Sequence, residues 1–129
     1  MTGSSGFLAS WLLEDLLAAG HEVMGIDRVD GSERSSESWT FFKHGLRLEI
    51  PVLIPFELCI HLASGAGGIV QNHEDQSLIQ DELRMLQSVH RLCHRLGCKR
   101  IIFTSSINVF ETGGVGAEGP LELRDQRSP

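Results

Sequence analysis

Short apolar runs alternate with longer amphipathic stretches along this chain, and that alternation most limits what it can fold into. Glu22–Asp27, Trp39–Phe42, Leu58–Ala63 and Lys99–Ser106 are of strand length, while Phe7–Ala19 and Leu78–Leu96 carry apolar residues at helical spacing. Strand-length runs separated by helix-length ones build βαβ units, in which crossover helices connect parallel strands. The expected fold class is therefore α/β, a doubly wound parallel sheet. No internal repeat appears, which removes solenoids and propellers.

Composition narrows the function classes. With 129 residues the chain has the length of one domain, and 41% hydrophobic with 22% charged residues is ordinary globular content. A formal net charge of −6 opposes a nucleic-acid clamp or a polybasic membrane binder. No stretch approaches the roughly 20 apolar residues of a membrane span, and no basic-then-apolar leader opens the sequence. Three cysteines without such a leader point to free thiols and a cytoplasmic location.

Within this frame, Leu8, Leu12, Leu13, Leu16 and Leu17 share one broad face of the first helix, which Gly20 ends. Residues 28–38 are polar and read as a surface loop. Pro51 and Pro55 oppose a helix between the second and third strands. Ile79, Leu83, Leu86, Val89, Cys93 and Leu96 form the apolar stripe of the long helix, and Gly97 stops it. Lys99–Ser106 reads as a buried strand ending in hydroxyls.

The chemistry-bearing residues begin at Gly3-Ser4-Ser5-Gly6-Phe7-Leu8-Ala9, a glycine turn opening a helix. A helix N-terminus offers unpaired N–H groups and the positive end of the dipole. Glycines let a pyrophosphate approach the backbone there. Glycine turns before helices are also common structural features. The context adds weight: the next strand ends in Asp27, 24 positions after Gly3. A carboxylate about 20 residues on, at a strand end, is placed to grip ribose hydroxyls. It would repel a 2′-phosphate and so favours NAD over NADP, whereas Arg28 beside it could accept that phosphate. Thr104-Ser105-Ser106 stands at a strand's carboxyl end, where a hydroxyl can meet a reacting oxygen or simply cap a turn.

Taken in order, TGxxGFL, GHEVxGxD, FxxHLAS and LGxKRIIFTSS resemble the extended short-chain dehydrogenase/reductase family, in its NAD-dependent epimerase/dehydratase branch that works on nucleotide sugars. The resemblance runs from Thr2 to about Phe110. It implies a Rossmann-type portion over residues 1–110, followed by a loop over 111–129 that leads toward catalytic and substrate parts. By position, Gly3, Gly6, Phe7 and Leu8 match the pyrophosphate loop, and Asp27 the ribose-binding acid. The segment Phe42–Arg47 resembles the one that packs on adenine; Gly45-Leu46 stands where the family has Asp followed by an apolar residue, making Leu46 the adenine contact. Leu62, Ala63 and Ser64 match the strand end beside the cofactor, and Thr104 lies on the nicotinamide side. Ser106 matches the residue that hydrogen-bonds the sugar oxygen being oxidised.

Three departures accompany the resemblance. The family's central strand, about five apolar residues, precedes the glycine turn, but only Met1 precedes Thr2 here. That leaves the strands carrying Asp27 and Leu62 without a neighbour between them. The family's base is a Tyr in Tyr-x-x-x-Lys, and this chain has no tyrosine, with lysine only at 43 and 99. Glu82 replaces the Asn that opens the family's long helix. A fragment of a longer enzyme, inactive alone, accounts for these gaps.

The expected function is thus the NAD-binding portion of an epimerase/dehydratase, an isomerase or oxidoreductase working by transient hydride transfer. The alternatives are an NADP-dependent ketone reductase of the same superfamily and a non-catalytic dinucleotide sensor. The expected partner is a nucleotide sugar, with a homodimer formed through the 78–96 helix. His90, His94 and the neighbouring cysteines lack a metal-site pattern and read as solvated or helix-end residues. Cys59 and His61 read as packed strand residues.

Overall fold

The computed structural model describes residues 1–31, 36–65 and 76–104, without the side chains of Gln76 and Leu78. In chain order the elements are α1 (Phe7–Ala18), β1 (Val23–Asp27), β2 (Trp39–Lys43), β3 (Leu58–His61), α2 (Gln76–Arg95) and β4 (Arg100–Phe103). β1 pairs with β2 in parallel, from Val23 opposite Trp39 to Asp27 opposite Lys43. β3 pairs with β4 in parallel, from Leu58 opposite Arg100 to His61 opposite Phe103.

What joins the two pairs corrects the expectation that nothing lies between them. Thr2 bridges in parallel to both Ile26 and His61. On one side the Ile26 amide donates to the Met1 carbonyl at 2.9 Å and the Gly3 amide to the Ile26 carbonyl at 3.0 Å. On the other, the Thr2 amide donates to the Ile60 carbonyl at 2.9 Å and the Leu62 amide to the Thr2 carbonyl at 3.1 Å. The Met1 α-ammonium extends the first ladder by donating to the Met24 carbonyl at 2.6 Å. Two residues therefore stand in as the end of a central strand. The order β2-β1-(Met1-Thr2)-β3-β4 is that of a doubly wound sheet.

Alternation along the strands sends side chains to two cores. Val23 and Trp39 pack with Leu13 of α1, joined by Leu16, Leu17 and Phe41. Ile26, Leu46, Ile50, Val52 and Cys59 pack with Met85, Val89, Leu92 and Cys93 of α2. Both helices stop at a glycine with positive φ, Gly20 (81°) and Gly97 (70°), a backbone conformation that side-chain-bearing residues rarely adopt. Gly25 is required by close approach, because a Cβ there would collide with the Trp39 ring and the Ser4 side chain. Trp39 is thus a core residue.

Three burial expectations change. The stripe read along the long helix mixes two faces: Val89 and Cys93 face the sheet with Met85 and Leu92, whereas Ile79, Leu83 and Leu86 are exposed. Leu8 is exposed on α1, where Ala9 and Leu13 make the buried contacts. β4 is not buried; its four residues are exposed, Phe103 at 53%. It is the outer strand of its pair, and no described element covers it.

Arg95, at the end of α2, holds the irregular segment after β2. Its guanidinium donates to the carbonyls of Ile50 (2.5 Å) and Val52 (3.2 Å) and pairs with Glu49 at 2.9 Å. Ile50 and Val52 are thereby fixed in the α2-side core. Hydrogen bonds from a charged donor contribute about 1.5–3 kcal/mol. Arg95→Ala is expected to lower stability by about 1–3 kcal/mol in urea unfolding, and Glu49→Ala, which removes only the exposed partner, by less than about 1 kcal/mol.

The sheet centre also sets a pH dependence. Thr2 and His61 are 2% and 1% exposed, with Thr2 Oγ1 2.6 Å from His61 Nδ1. His61 stacks on Phe103, and its Nε2 has no hydrogen-bond partner. Burial lowers the His61 pKa from its ordinary 6.5, partly opposed by the Glu82 carboxylate. Burial likewise lowers that of the Met1 amine from 8.0, opposed by Cys59, Cys93 and Cys98. For both groups the unfolded chain binds a proton that the folded chain refuses, so stability falls as pH drops through the unfolded values. The melting temperature should decline steadily from about pH 8 to pH 5. In His61→Gln the decline below about pH 6.5 should be shallower.

Candidate nucleotide-binding site

The site forms where the strands end. Directly after the Thr2 bridge the chain turns at Gly3, with φ 68°. A Cβ on Gly3 would lie 2.6 Å from the Ala63 amide nitrogen and 2.9 Å from the Leu62 carbonyl carbon, so the turn can sit against the β3 terminus only as glycine. The Gly6 amide donates to the Gly3 carbonyl at 3.0 Å and closes the turn. Gly6 is the N-cap of α1, with no side-chain cap and no acidic residue in the first turn. Phe7 and Leu8 are exposed there. An uncapped, acid-free helix start reached through a glycine cradle is suited to an anionic group.

Asp27 closes one side of this cradle. Its Oδ2 accepts from the Ser5 amide at 3.0 Å and its Oδ1 from the Val29 amide at 3.0 Å. The Ser5 hydroxyl donates to the Val29 carbonyl at 3.1 Å. The loop after β1 and the glycine turn are thus tied together through one carboxylate. That carboxylate is only partly buried and keeps lone pairs for further donors. Arg28 is exposed next to it.

On the other side, Leu62 and Ala63 are half-buried where β3 ends, with Ala63 packed on the α2-side core. The Ser64 hydroxyl donates to Glu82 Oε1 at 2.7 Å, and the Gly65 amide donates to the same oxygen. Glu82, the substitute for the family's Asn, therefore anchors the β3 loop onto α2. The sequence alone gave no signal for that role, because the partners are 17 and 18 residues away. Thr104 is exposed, and its hydroxyl donates to the His61 carbonyl at 3.2 Å. Leu46 is 6% exposed and sits within the α2-side core. Ser106 lies outside the described residues.

The turn brings Gly3, Gly6, Phe7, Leu8 and Asp27 to one place, with Leu62, Ala63 and Ser64 beside Gly3. A dinucleotide fits this donor set: α1 amides for a pyrophosphate and the Asp27 carboxylate for ribose hydroxyls. Burial raises the pKa of Cys59, partly opposed by the Met1 ammonium, and burial together with Cys59 and Cys98 raises that of Cys93, so these two thiols stay protonated. Among the described residues no group of three or more His, Cys, Asp or Glu side chains is placed to hold a metal ion. No described helix is long and apolar enough to cross a membrane. Gly3→Ala is expected to cost at least about 1–3 kcal/mol from backbone strain alone, read by denaturant unfolding.

Comparison with known proteins agrees with this geometry. A curated relative, tetraketide alpha-pyrone reductase 1 of Arabidopsis thaliana, is 34% identical over 122 residues, covering 82% of this chain and 36% of the relative. The crystal structure of a UDP-galactose 4-epimerase superposes with a TM-score of 0.74 at 21% identity, covering 88% of this chain and 40% of that one. An NAD-dependent NDP-hexosamine 5,6-dehydratase of tunicamycin biosynthesis superposes at 0.66 with 25% identity, over 81% of this chain and 35% of that one. The chain thus spans less than half the length of each. The profile of the NAD dependent epimerase/dehydratase family matches residues 1–128. With its glycine turn, strand-end carboxylate and parallel sheet, the chain belongs to the NAD dependent epimerase/dehydratase family.

Proposed function

We propose that this chain is the NAD-binding portion of an epimerase/dehydratase that acts on a nucleotide sugar by transient hydride transfer. The observation that carries the reading is the Asp27 carboxylate at the end of β1, tied to the glycine turn through the Ser5 amide. Bound NAD would supply the hydride acceptor. The amides at Gly6, Phe7 and Leu8 would hold the pyrophosphate, Gly3 would let it approach, and Asp27 would accept hydrogen bonds from ribose hydroxyls. Thr104 would border the nicotinamide side, and Ser106 would hold the sugar oxygen as charge develops on it. The nucleotide-sugar substrate rests on the family resemblance and on the two superposed enzymes. The exposed Ile79, Leu83 and Leu86 on α2 support a homodimer through that helix.

A second reading, an NADP-dependent ketone reductase, is favoured by the exposed Arg28 beside Asp27 and by the reductase relative. Calorimetric titration of the 129-residue chain separates the two. NAD should bind more tightly than NADP, and Asp27→Asn should weaken NAD about tenfold or more, the size of a lost charge-assisted hydrogen bond. Tighter binding of NADP would favour the reductase, and binding of neither would remove both. With no tyrosine to act as base, the chain mixed with NAD and a nucleotide sugar should yield neither NADH nor an epimer. Steady turnover would contradict the proposal.

A further inference from the structure

The two halves of the nucleotide site differ in charge. A doubly wound sheet takes a dinucleotide across the point where strand order reverses, so its two nucleotides lie over opposite halves of the sheet. Asp27 ends β1 and meets the ribose on the β1–β2 side. The nucleotide that carries the nicotinamide then extends over the carboxyl ends of β3 and β4, where Ser64, Gly65 and Thr104 stand.

Glu82 places a carboxylate at that end. Its Oε1 accepts from the Ser64 hydroxyl at 2.7 Å and from the Gly65 amide. Two donors on one oxygen fix the half-buried side chain at the first residues past β3. Among the described residues no Lys or Arg pairs with it. Its neighbour on α2 is different: Asp81 is paired with Arg47 at 3.0 Å and with Arg84 at 3.9 Å. The field of Glu82 reaches the β3 terminus, because its carboxylate is the group that opposes the burial-lowered pKa of His61.

A fixed, half-buried carboxylate without a counter-cation favours a cationic ligand group, and the low local dielectric strengthens the attraction. The two redox forms of a nicotinamide dinucleotide differ in this respect. The oxidised ring carries a positive charge, and the reduced ring is neutral.

We propose that Glu82 selects the oxidation state of the bound dinucleotide, holding the cationic oxidised nicotinamide more tightly than the neutral reduced one. This rests on the NAD-binding reading above and adds a role to a residue which that reading leaves unused. The Asn that Glu82 replaces is neutral and has no such preference, so the substitution supplies it. Differential affinity shifts the equilibrium between the two forms by the same factor. A site that prefers the oxidised ring therefore favours return of the hydride to the substrate, which suits a transient oxidation.

The test is calorimetric titration of the 129-residue chain with NAD and with NADH. The unaltered chain should bind NAD at least about threefold more tightly than NADH. Glu82→Gln keeps an oxygen to accept from Ser64 and Gly65 and removes the charge. In that variant the preference should shrink by about threefold or more, with NAD losing affinity and NADH not. Asp27→Asn should weaken both forms alike, because the ribose it meets is the same in each. Equal binding of NAD and NADH by the unaltered chain, or an undiminished preference in Glu82→Gln, would overturn the inference and leave the NAD-binding reading standing. Binding of neither form would overturn both.

Discussion

Everything in this structure hangs on the five hydrogen bonds that Met1, Thr2 and Gly3 make across the middle of the sheet. Without them β1–β2 and β3–β4 are separate two-stranded ribbons, and isolated pairs of strands are marginal in water. With them the four strands form one sheet, and both helices have a surface to cover. The same bonds aim the chain at Gly3, so the stitch that completes the sheet also places the glycine turn against Leu62 and Ala63. Sheet integrity and the candidate nucleotide site are therefore one construction. A loss at Thr2 would be felt at Asp27, because the turn that reaches Ser5 begins there.

The stitch is thin, and its chemistry reflects this. Thr2 and His61 are polar residues in the most buried part of the sheet, satisfied by each other and left with one orphaned ring nitrogen. The Met1 ammonium is buried among apolar strands and thiols. Each raises the free energy of the folded state at low pH, where unfolding would let it take a proton.

Much of the fold was legible in the sequence because strand-length and helix-length apolar periods are local. The six elements fall within a few residues of their expected bounds, and the glycines at 20 and 97 stop the helices as read. Asp27 and the Gly3 turn were legible for the same reason, since their spacing is fixed by one helix and one strand. Burial was less so. Whether Leu83 or Leu92 faces the sheet depends on how α2 is rotated by its contacts with Ile50, Val52 and Cys59, which are distant in sequence. β4 reads as buried from Ile101-Ile102-Phe103, but its exposure depends on what lies outside it. The two-residue bridge was illegible because it has no periodicity: Met1-Thr2 is recognisable as strand only from the partners on either side. The Ser64–Glu82 link is hidden for the same reason.

Amide hydrogen exchange of the 129-residue chain tests the central claim most directly. The amides of Thr2, Gly3, Ile26 and Leu62 should exchange as slowly as the most protected amides of the β1–β2 ladder, because opening any of them separates the two halves of the sheet. Exchange at these four positions near the unprotected rate, while each strand pair stays protected on its own, would contradict it.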